Sequence, residues 1–460
     1  SGTGTTSVGS GMGTRITYLA DYLRNSYWFT PGLMLLGSAL LAWVTVRIDE
    51  AADPENLPWV GSIIYSGGSN GAHEVLGTIS SSMITVAGVV FSITIVTLQL
   101  ASSQFGPRML ATFMRDRGNQ VTLGTFVATF LYSLLVLRTI RSDDPSSVPH
   151  LSVTIALGLA VAGLAVLIYF IHHVSTIIQA PNLVQTIAGE LHRSTDHMFP
   201  DVEEMEDARS AEDHARLPAD FDARSRQVKA AKDGYVQVID VERLVAVGRE
   251  HDLVIRLDTR GGRFVVHHTA FAVAYPAERV TDEVVEAIAD ALVTGARRTA
   301  QQDIEFPLKQ MVEIAVRALS PGINDPFTAS TCVDQIGAGL CRLASRELPS
   351  PHVLDADGAL RVVHGDPVTW ERLVGAGFDQ IRQCADFHTP VYLHVLESLA
   401  QIAGCVRDET RLEPLLREAR LVVEAAERNV EAEADHDVIE QRYDDLLTVV
   451  ERARTTVPRR

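Results

Sequence analysis

A row of small and hydroxylated side chains interrupts an otherwise apolar, uncharged stretch at residues 79–100. Its members recur at steps of three or four, or sums of such steps, which puts them on one face of a helix. The row comprises Thr78, Ser81, Thr85, Gly88, Ser92, Gln99 and Ser103, and only Ile95 interrupts it. Such a face could line a water-filled path for an ion or small solute, or pack closely against another helix. Both interpretations stay open here. The candidate path-lining residues are Thr78, Ser81, Thr85, Ser92, Gln99 and, just beyond the stretch, Arg108.

A second pattern with possible chemistry is ALSPGINDPFTA, residues 318–329. We predict that one helix ends near Ser320 and that Asp325 caps the next, because Asp is a favoured N-cap and Pro is tolerated at the first helical position. Free N–H groups at a helix start can bind an anion or a carbonyl oxygen, although the Asp325 side chain would occupy them. A tight structural corner and a ligand site formed by Ser320, Asn324, Asp325 and Thr328 are therefore both possible.

Signals for catalysis or metal binding are weak. Four acids, Asp303, Glu305, Asp325 and Asp334, could approach one cation, but they have no fixed metal-ligand spacing, and we favour surface charges and helix caps. The sequence also lacks the common nucleotide, zinc-protease, serine-hydrolase and dinucleotide motifs. We predict no catalytic residue, no metal and no cofactor, and an enzyme is the least supported class.

Four apolar runs in the sequence are the predicted membrane helices, and one of them carries the polar row. They cover residues 27–48, 79–100, 121–137 and 151–171. At about 1.5 Å per residue the second run reaches roughly 33 Å, enough for a bilayer core of about 30 Å. The fold class we predict is an α-helical membrane domain of about four transmembrane helices, followed by a cytoplasmic α+β domain with a small β module and a helical C-terminal bundle.

The predicted domains follow from changes in pattern along the chain. Alternating apolar residues indicate short strands, and apolar residues three or four apart indicate helices. The segments are an N-terminal tail (1–26), the membrane domain (27–175), a connecting helix with an acidic linker (176–233), the β module (234–276) and a mainly helical domain (277–460).

Charge and cysteine content restrict compartment and partners. The net charge of −18 lies almost wholly after Ala180, which argues against nucleic acid, since nucleic acid requires a basic face. The four cysteines all lie after the spans and form no CxxC pair, which suits a reducing cytosol. An excess of arginines in the 1–26 and 106–117 segments over the 47–55 and 138–150 segments predicts that both termini are cytoplasmic.

The chain resembles a family of predicted bacterial membrane proteins grouped as domain of unknown function 2254. The resemblance rests on ALSPGINDPFTA followed by Asp334, on the polar second span ending SQFGPR at 103–108, and on GYVQVID at 234–240. It covers nearly the whole chain after Tyr27. It implies a multi-pass protein of the bacterial inner membrane and implies no activity.

Two functional hypotheses remain. The first is a homo-oligomeric ion channel or transporter with the second span lining the path, since one four-span protomer offers little room for its own pore. The alternative is a membrane-anchored ligand sensor or scaffold without transport activity. The expected partners are membrane lipid, further copies of the chain, and an ion or small-molecule ligand.

Overall fold

The computed structural model describes residues 28–51, 65–105, 116–140, 148–177, 179–199 and 216–456. The chain divides into two compact units, Ser1–Gln179 and Ala180–Arg460.

The described part of the first unit consists of apolar helices. They are α1 (Phe29–Ala51), α2 (Ser69–Phe105), α3 (Arg117–Leu137) and α4 (His150–Ile177). Among the described residues, these four helices are long and apolar enough to cross a membrane, as the sequence predicts. The α2 helix has 37 residues, so at about 1.5 Å per residue it extends roughly 55 Å, well beyond the thickness of a bilayer core.

The centre of the first unit is α3, which packs against the other three helices. Its Tyr132 ring is fully buried, and the phenol lies 3.0 Å from the Thr45 hydroxyl on α1 and donates to the Ser152 carbonyl on α4 at 3.1 Å. The Asp49 carboxylate accepts hydrogen bonds from the backbone N–H groups of Leu151 and Ser152, both at 2.9 Å. These contacts satisfy orphan donors at the start of α4 and join α1 to it.

The second unit contains two small sheets. Their strands are β1 (Arg226–Lys229), β2 (Gly234–Ile239), β3 (Val254–Leu257), β4 (Phe264–Val265), β5 (Ala270–Tyr275), β6 (Leu292–Gly295), β7 (His352–Leu354) and β8 (Leu360–His364). One sheet has the order β1-β5-β3-β8-β7 and the other β4-β2-β6. Only the β3–β8 pair is parallel among the described pairings. The β structure therefore draws on more of the chain than residues 234–276.

The remaining elements of the second unit are helices. They are α5 (Ala180–Met198), α6 (Val241–Glu250), α7 (Asp282–Asp290), α8 (Glu305–Ala318), α9 (Pro326–Ala344), α10 (Trp370–Cys384), α11 (Thr389–Cys405), α12 (Leu412–Asn429) and α13 (Glu433–Thr456). Helices α5, α8, α9 and α11 pack around fully buried residues such as Leu191, Met311, Ile336 and Leu399. The predicted fold class, with a small sheet and a helical C-terminal region, is confirmed.

Candidate functional site

The polar row of α2 lies on the exposed surface of the four-helix unit. Thr78, Ser81, Thr85, Ser92 and Gln99 are all exposed. Gly88, within the row, has open space where a Cβ would stand. The structure thus brings these predicted residues together on one face, whereas Arg108 lies outside the described residues.

The opposite face of α2 makes the helix contacts. Ala87, Val90, Thr94, Thr97 and Ala101 are buried there, with 0–7% exposure. At about 100° per residue, their mean direction lies roughly 180° from the polar row. Among the described residues, the row is therefore not the surface through which α2 packs within its own chain.

Hydrogen bonding within α2 decides which atoms the row presents. Ser81 donates to the Thr78 carbonyl at 3.1 Å, Thr85 to the Ser81 carbonyl at 2.8 Å, and Ser92 to the Gly88 carbonyl at 2.9 Å. Because each hydroxyl hydrogen is used by the helix backbone, the oxygen lone pairs are left as outward acceptors. The exposed Gln99 amide makes no hydrogen bond to any residue that the structure describes.

The 318–329 segment forms the predicted corner between α8 and α9. Asp325 is the N-cap of α9, and its carboxylate accepts from the Thr328 N–H at 3.1 Å and from the Thr328 hydroxyl at 2.5 Å. The Ser320 carbonyl accepts from the N–H groups of Ile323 and Asn324 at 3.0 and 2.9 Å. Asn324 has a φ of 53°, which Asn tolerates better than most residues.

The candidate ligand residues of this corner lie together, but most of their polar atoms serve the corner itself. Ser320 donates its hydroxyl to the Arg317 carbonyl at 2.6 Å, and Asp325 donates its N–H to the Ala318 carbonyl at 2.8 Å. The Thr328 hydroxyl is bound to the Asp325 cap. This geometry favours a structural corner over a ligand site.

Asp303 and Glu305 correct one expectation, because they are not surface charges. Both side chains are only 1% exposed. Glu305 contacts Arg260 at 2.8 Å, Arg372 at 2.7 Å and Lys309 at 2.7 Å. Burial alone would raise the pKa of Glu305, but the Lys309 hydrogen bond and the neighbouring cations outweigh it and lower that pKa. Burial raises the pKa of Asp303, which Arg298 at 2.5 Å offsets only in part.

This ionic cluster was missed from the sequence because its members are spread over more than a hundred residues. Asp366 adds contacts to Arg260 at 3.3 Å and Arg372 at 3.1 Å. The one local signal was the Gly261-Gly262 turn: a Cβ at Gly262, whose φ is +78°, would lie 1.9 Å from the Asp303 carboxylate. Acidic groups here are paired with cations, and no group of three or more metal-ligating side chains occurs among the described residues.

Comparison with known proteins places the chain in a family. Residues 24–401 match the sequence pattern of a family described as "Predicted membrane protein (DUF2254)". The chain belongs to this family. Uncharacterized proteins of Mycobacterium tuberculosis (strain H37Rv) and Mycobacterium bovis are each 32% identical to it over 451 residues. Each alignment covers 96% of this chain and 84% of the relative.

The resemblance inferred from the motifs is thereby confirmed. The matched region of this DUF2254 member includes the α2 row, the ionic cluster and the Asn-Asp-Pro corner. No solved structure matches the chain. With four apolar helices and membership of a membrane protein family, the chain is a predicted membrane protein with four candidate spans.

Proposed function

We propose that this protein is a homo-oligomeric ion channel or transporter in which the α2 rows of several copies face a shared path. The observation that carries the proposal is the exposure of the row opposite the packed face of α2. An amide such as that of Gln99 costs roughly 2–7 kcal/mol to place in an apolar medium without a hydrogen-bond partner. Water or another copy of the chain would supply that partner, and lipid tails would not.

The other exposed helix faces differ from the row, which supports this assignment. On α1 the most exposed large side chains include Leu36 at 72%, and on α4 they include Val161 at 71% and Ile168 at 66%. Large apolar residues of this kind suit contact with lipid. The α2 row instead has hydroxyls, a glycine and an amide, with Ile95 as its one large apolar residue, so it is less suited to hydrocarbon than those faces.

The chemistry of the row suggests which solutes a path lined by it would conduct. Outward hydroxyl oxygens can replace part of the hydration shell of a cation, or hydrogen-bond a neutral polar solute. Arg108, which follows the helix in sequence, would instead raise the local concentration of anions. The flux assay therefore includes both ion signs. Insertion into the bacterial inner membrane with both termini in the cytoplasm is part of the same proposal.

The test is ion flux into liposomes that contain the purified full-length chain. Ser92→Leu and Gln99→Leu place a bulky apolar group on the row, and we expect either to reduce or abolish flux, because a narrow apolar ring loses its water. Ile93→Leu is the matched control: Ile93 is exposed at the same depth but lies about 100° from Ser92 on the helix, so its substitution leaves flux unchanged.

The competing function is a membrane-anchored ligand sensor or scaffold. The observation that favours it is the small size of Ser81, Thr85, Gly88 and Ser92, spaced as in helix pairs that pack closely. In that case Ser92→Leu would dissociate the oligomer, measured as a change in mass in detergent, and wild-type liposomes would pass neither cations nor anions under voltage or tension. Wild-type flux that Ser92→Leu and Gln99→Leu leave unaltered would also refute the channel proposal.

A further inference from the structure

The corner between α8 and α9 exposes large apolar side chains in addition to its internal hydrogen bonds. Phe327, in the first turn of α9, is 84% exposed, and Ile323 is 45% exposed. Single exposed apolar residues are ordinary, but these two lie four residues apart in one tight turn. Phe387, just before α11, is a third at 59%. We name Ile323, Phe327 and Phe387 the apolar tip.

The contacts between α5 and α9 fix which end of the second unit carries Ile323 and Phe327. A Cβ at Gly339 would lie 2.2 Å from Leu191, and Arg346 donates to the Phe199 carbonyl at 2.8 Å. The Arg342–Asp196 ion pair at 2.7 Å is a third contact of this kind. In all three pairs the sequence offset between the α9 side and the α5 side is nearly constant. The two helices therefore run parallel. If the same offset is followed back to the start of both helices, Ala180 lies beside the first turn of α9.

Contacts between α9 and α11 place Phe387 at the same end. His394 lies 3.0 Å from Asp334, and further along both helices the thiols of Cys341 and Cys405 are hydrogen-bonded to each other. The later residue of α9 contacts the later residue of α11, so α9 and α11 are also parallel. The residues that precede α11, including Phe387, thus lie at the same end of the packed helices as the starts of α9 and α5.

The covalent chain connects this end to the membrane. The last candidate span, α4, ends at Ile177, and α5 begins at Ala180. Two intervening residues can extend over only about 10 Å. The backbone of Ala180 therefore lies within about 10 Å of the end of the candidate span α4, whatever the orientation of the second unit. Aromatic and aliphatic side chains at that depth suit the interface between headgroups and acyl chains.

We propose that the apolar tip inserts into the lipid interface and anchors the second unit against the bilayer. The charged residues nearest to the tip in sequence are Asp325 and Asp386, and both are acidic. Anionic headgroups would repel these carboxylates, so the contact is apolar and takes neutral phospholipid. An anchor of this kind would keep the starts of α5 and α9 at the bilayer.

The test uses the full-length chain with Cys332, Cys341, Cys384 and Cys405 replaced, one nitroxide-labelled cysteine, and lipid nanodiscs. The label is placed at Phe327→Cys, with Ile323→Cys as a second site in case the first disturbs the α9 cap. The matched control is Phe264→Cys. Phe264 is also an exposed aromatic residue, at 55%. It follows the Gly261-Gly262 turn, which lies against Gln302, just before the first residue of α8. The apolar tip follows the last residue of α8, so the control site lies at the opposite end of that helix.

Oxygen dissolved in lipid and a water-soluble nickel complex distinguish the outcomes. We expect the ratio of oxygen to nickel accessibility to be several-fold higher at residue 327 than at residue 264, in pure phosphatidylcholine as well as in mixtures with phosphatidylglycerol. Equal ratios at the two sites would overturn the proposal. A label at 327 shielded from both reagents would mean that protein covers the tip, and a lipid signal only with anionic lipid would mean that the contact is electrostatic; both outcomes also overturn it.

Discussion

Replacing Asp325 with alanine tests whether the Asn-Asp-Pro corner is structural. The change removes the acceptor of the Thr328 N–H at 3.1 Å and of the Thr328 hydroxyl at 2.5 Å. Losing an N-cap of this kind costs about 0.5–2 kcal/mol of stability. The Thr328 side chain is only partly buried, so water can solvate its freed hydroxyl, and that loss adds little. We therefore expect destabilisation within that range.

The assay is urea denaturation of the full-length chain in detergent, followed by circular dichroism. With a denaturant slope of about 3 kcal/mol per molar, the midpoint should fall by roughly 0.2–0.7 M. Asp240→Ala is the matched control, because Asp240 caps α6 by accepting from the Arg243 N–H at 3.0 Å and lies outside the corner. A structural corner predicts similar midpoint shifts for the two variants and unaltered liposome flux in both.

A different pattern would refute this reasoning. If Asp325→Ala leaves the midpoint unchanged but abolishes flux, the carboxylate acts on a ligand and not on the helix. Asp325→Asn separates the two roles further, because Asn is as good an N-cap as Asp but has no charge. We expect Asp325→Asn to retain wild-type stability and flux.

Two further predictions concern charge and topology. Burial raises the pKa of Glu418 to about 7 despite the Arg382 guanidinium at 2.8 Å. The folded state then holds this proton more tightly than the unfolded state, so stability falls as pH rises from about 4.5 to about 7. Glu418→Gln should be more stable than wild type at pH 8, by up to about 3 kcal/mol, and not at pH 5; equal differences in urea midpoint at the two pH values would contradict this. For topology, cysteines placed near Glu55 and Asp143 should react with an impermeant reagent from outside intact cells, and one at Asp213 should not; the reverse labelling would refute cytoplasmic termini.

Local sequence patterns predicted the four candidate spans and the helical character of the C-terminal region, because the helices in both are long and periodic. The full length of α2 was not predicted: its first turns contain His73 and Glu74, which end the apolar run although the helix continues through them. The β3–β8 pairing was not predictable either. It joins residues 254–257 to 360–364, and no local pattern encodes a parallel partner that distant in sequence.

The candidate site was predictable in its spacing but not in its environment. Hydroxyls occur on both faces of α2: Ser92 is exposed, whereas Thr94 is 4% exposed and donates to the Val90 carbonyl at 2.8 Å. The packing of α2 against α3 and α4 decides which set faces outward. The ionic cluster around Glu305 was invisible for a similar reason, since Arg260 and Arg372 approach it through tertiary contacts.

The packing of α3 bears on where a path could run. Half of the residues in the apolar part of α3 are buried, a larger share than in any of the other three candidate spans, so α3 is the central helix of the described unit. Its Phe126 and Tyr132 are at most 1% exposed, and the neighbouring Thr129 and Ser133 are also buried. Under the channel proposal, this filled centre makes the exposed row of α2 the candidate surface for a permeant among the described helices. Conduction would therefore require at least two copies to bring their α2 rows together, and a single copy in a bilayer should conduct nothing.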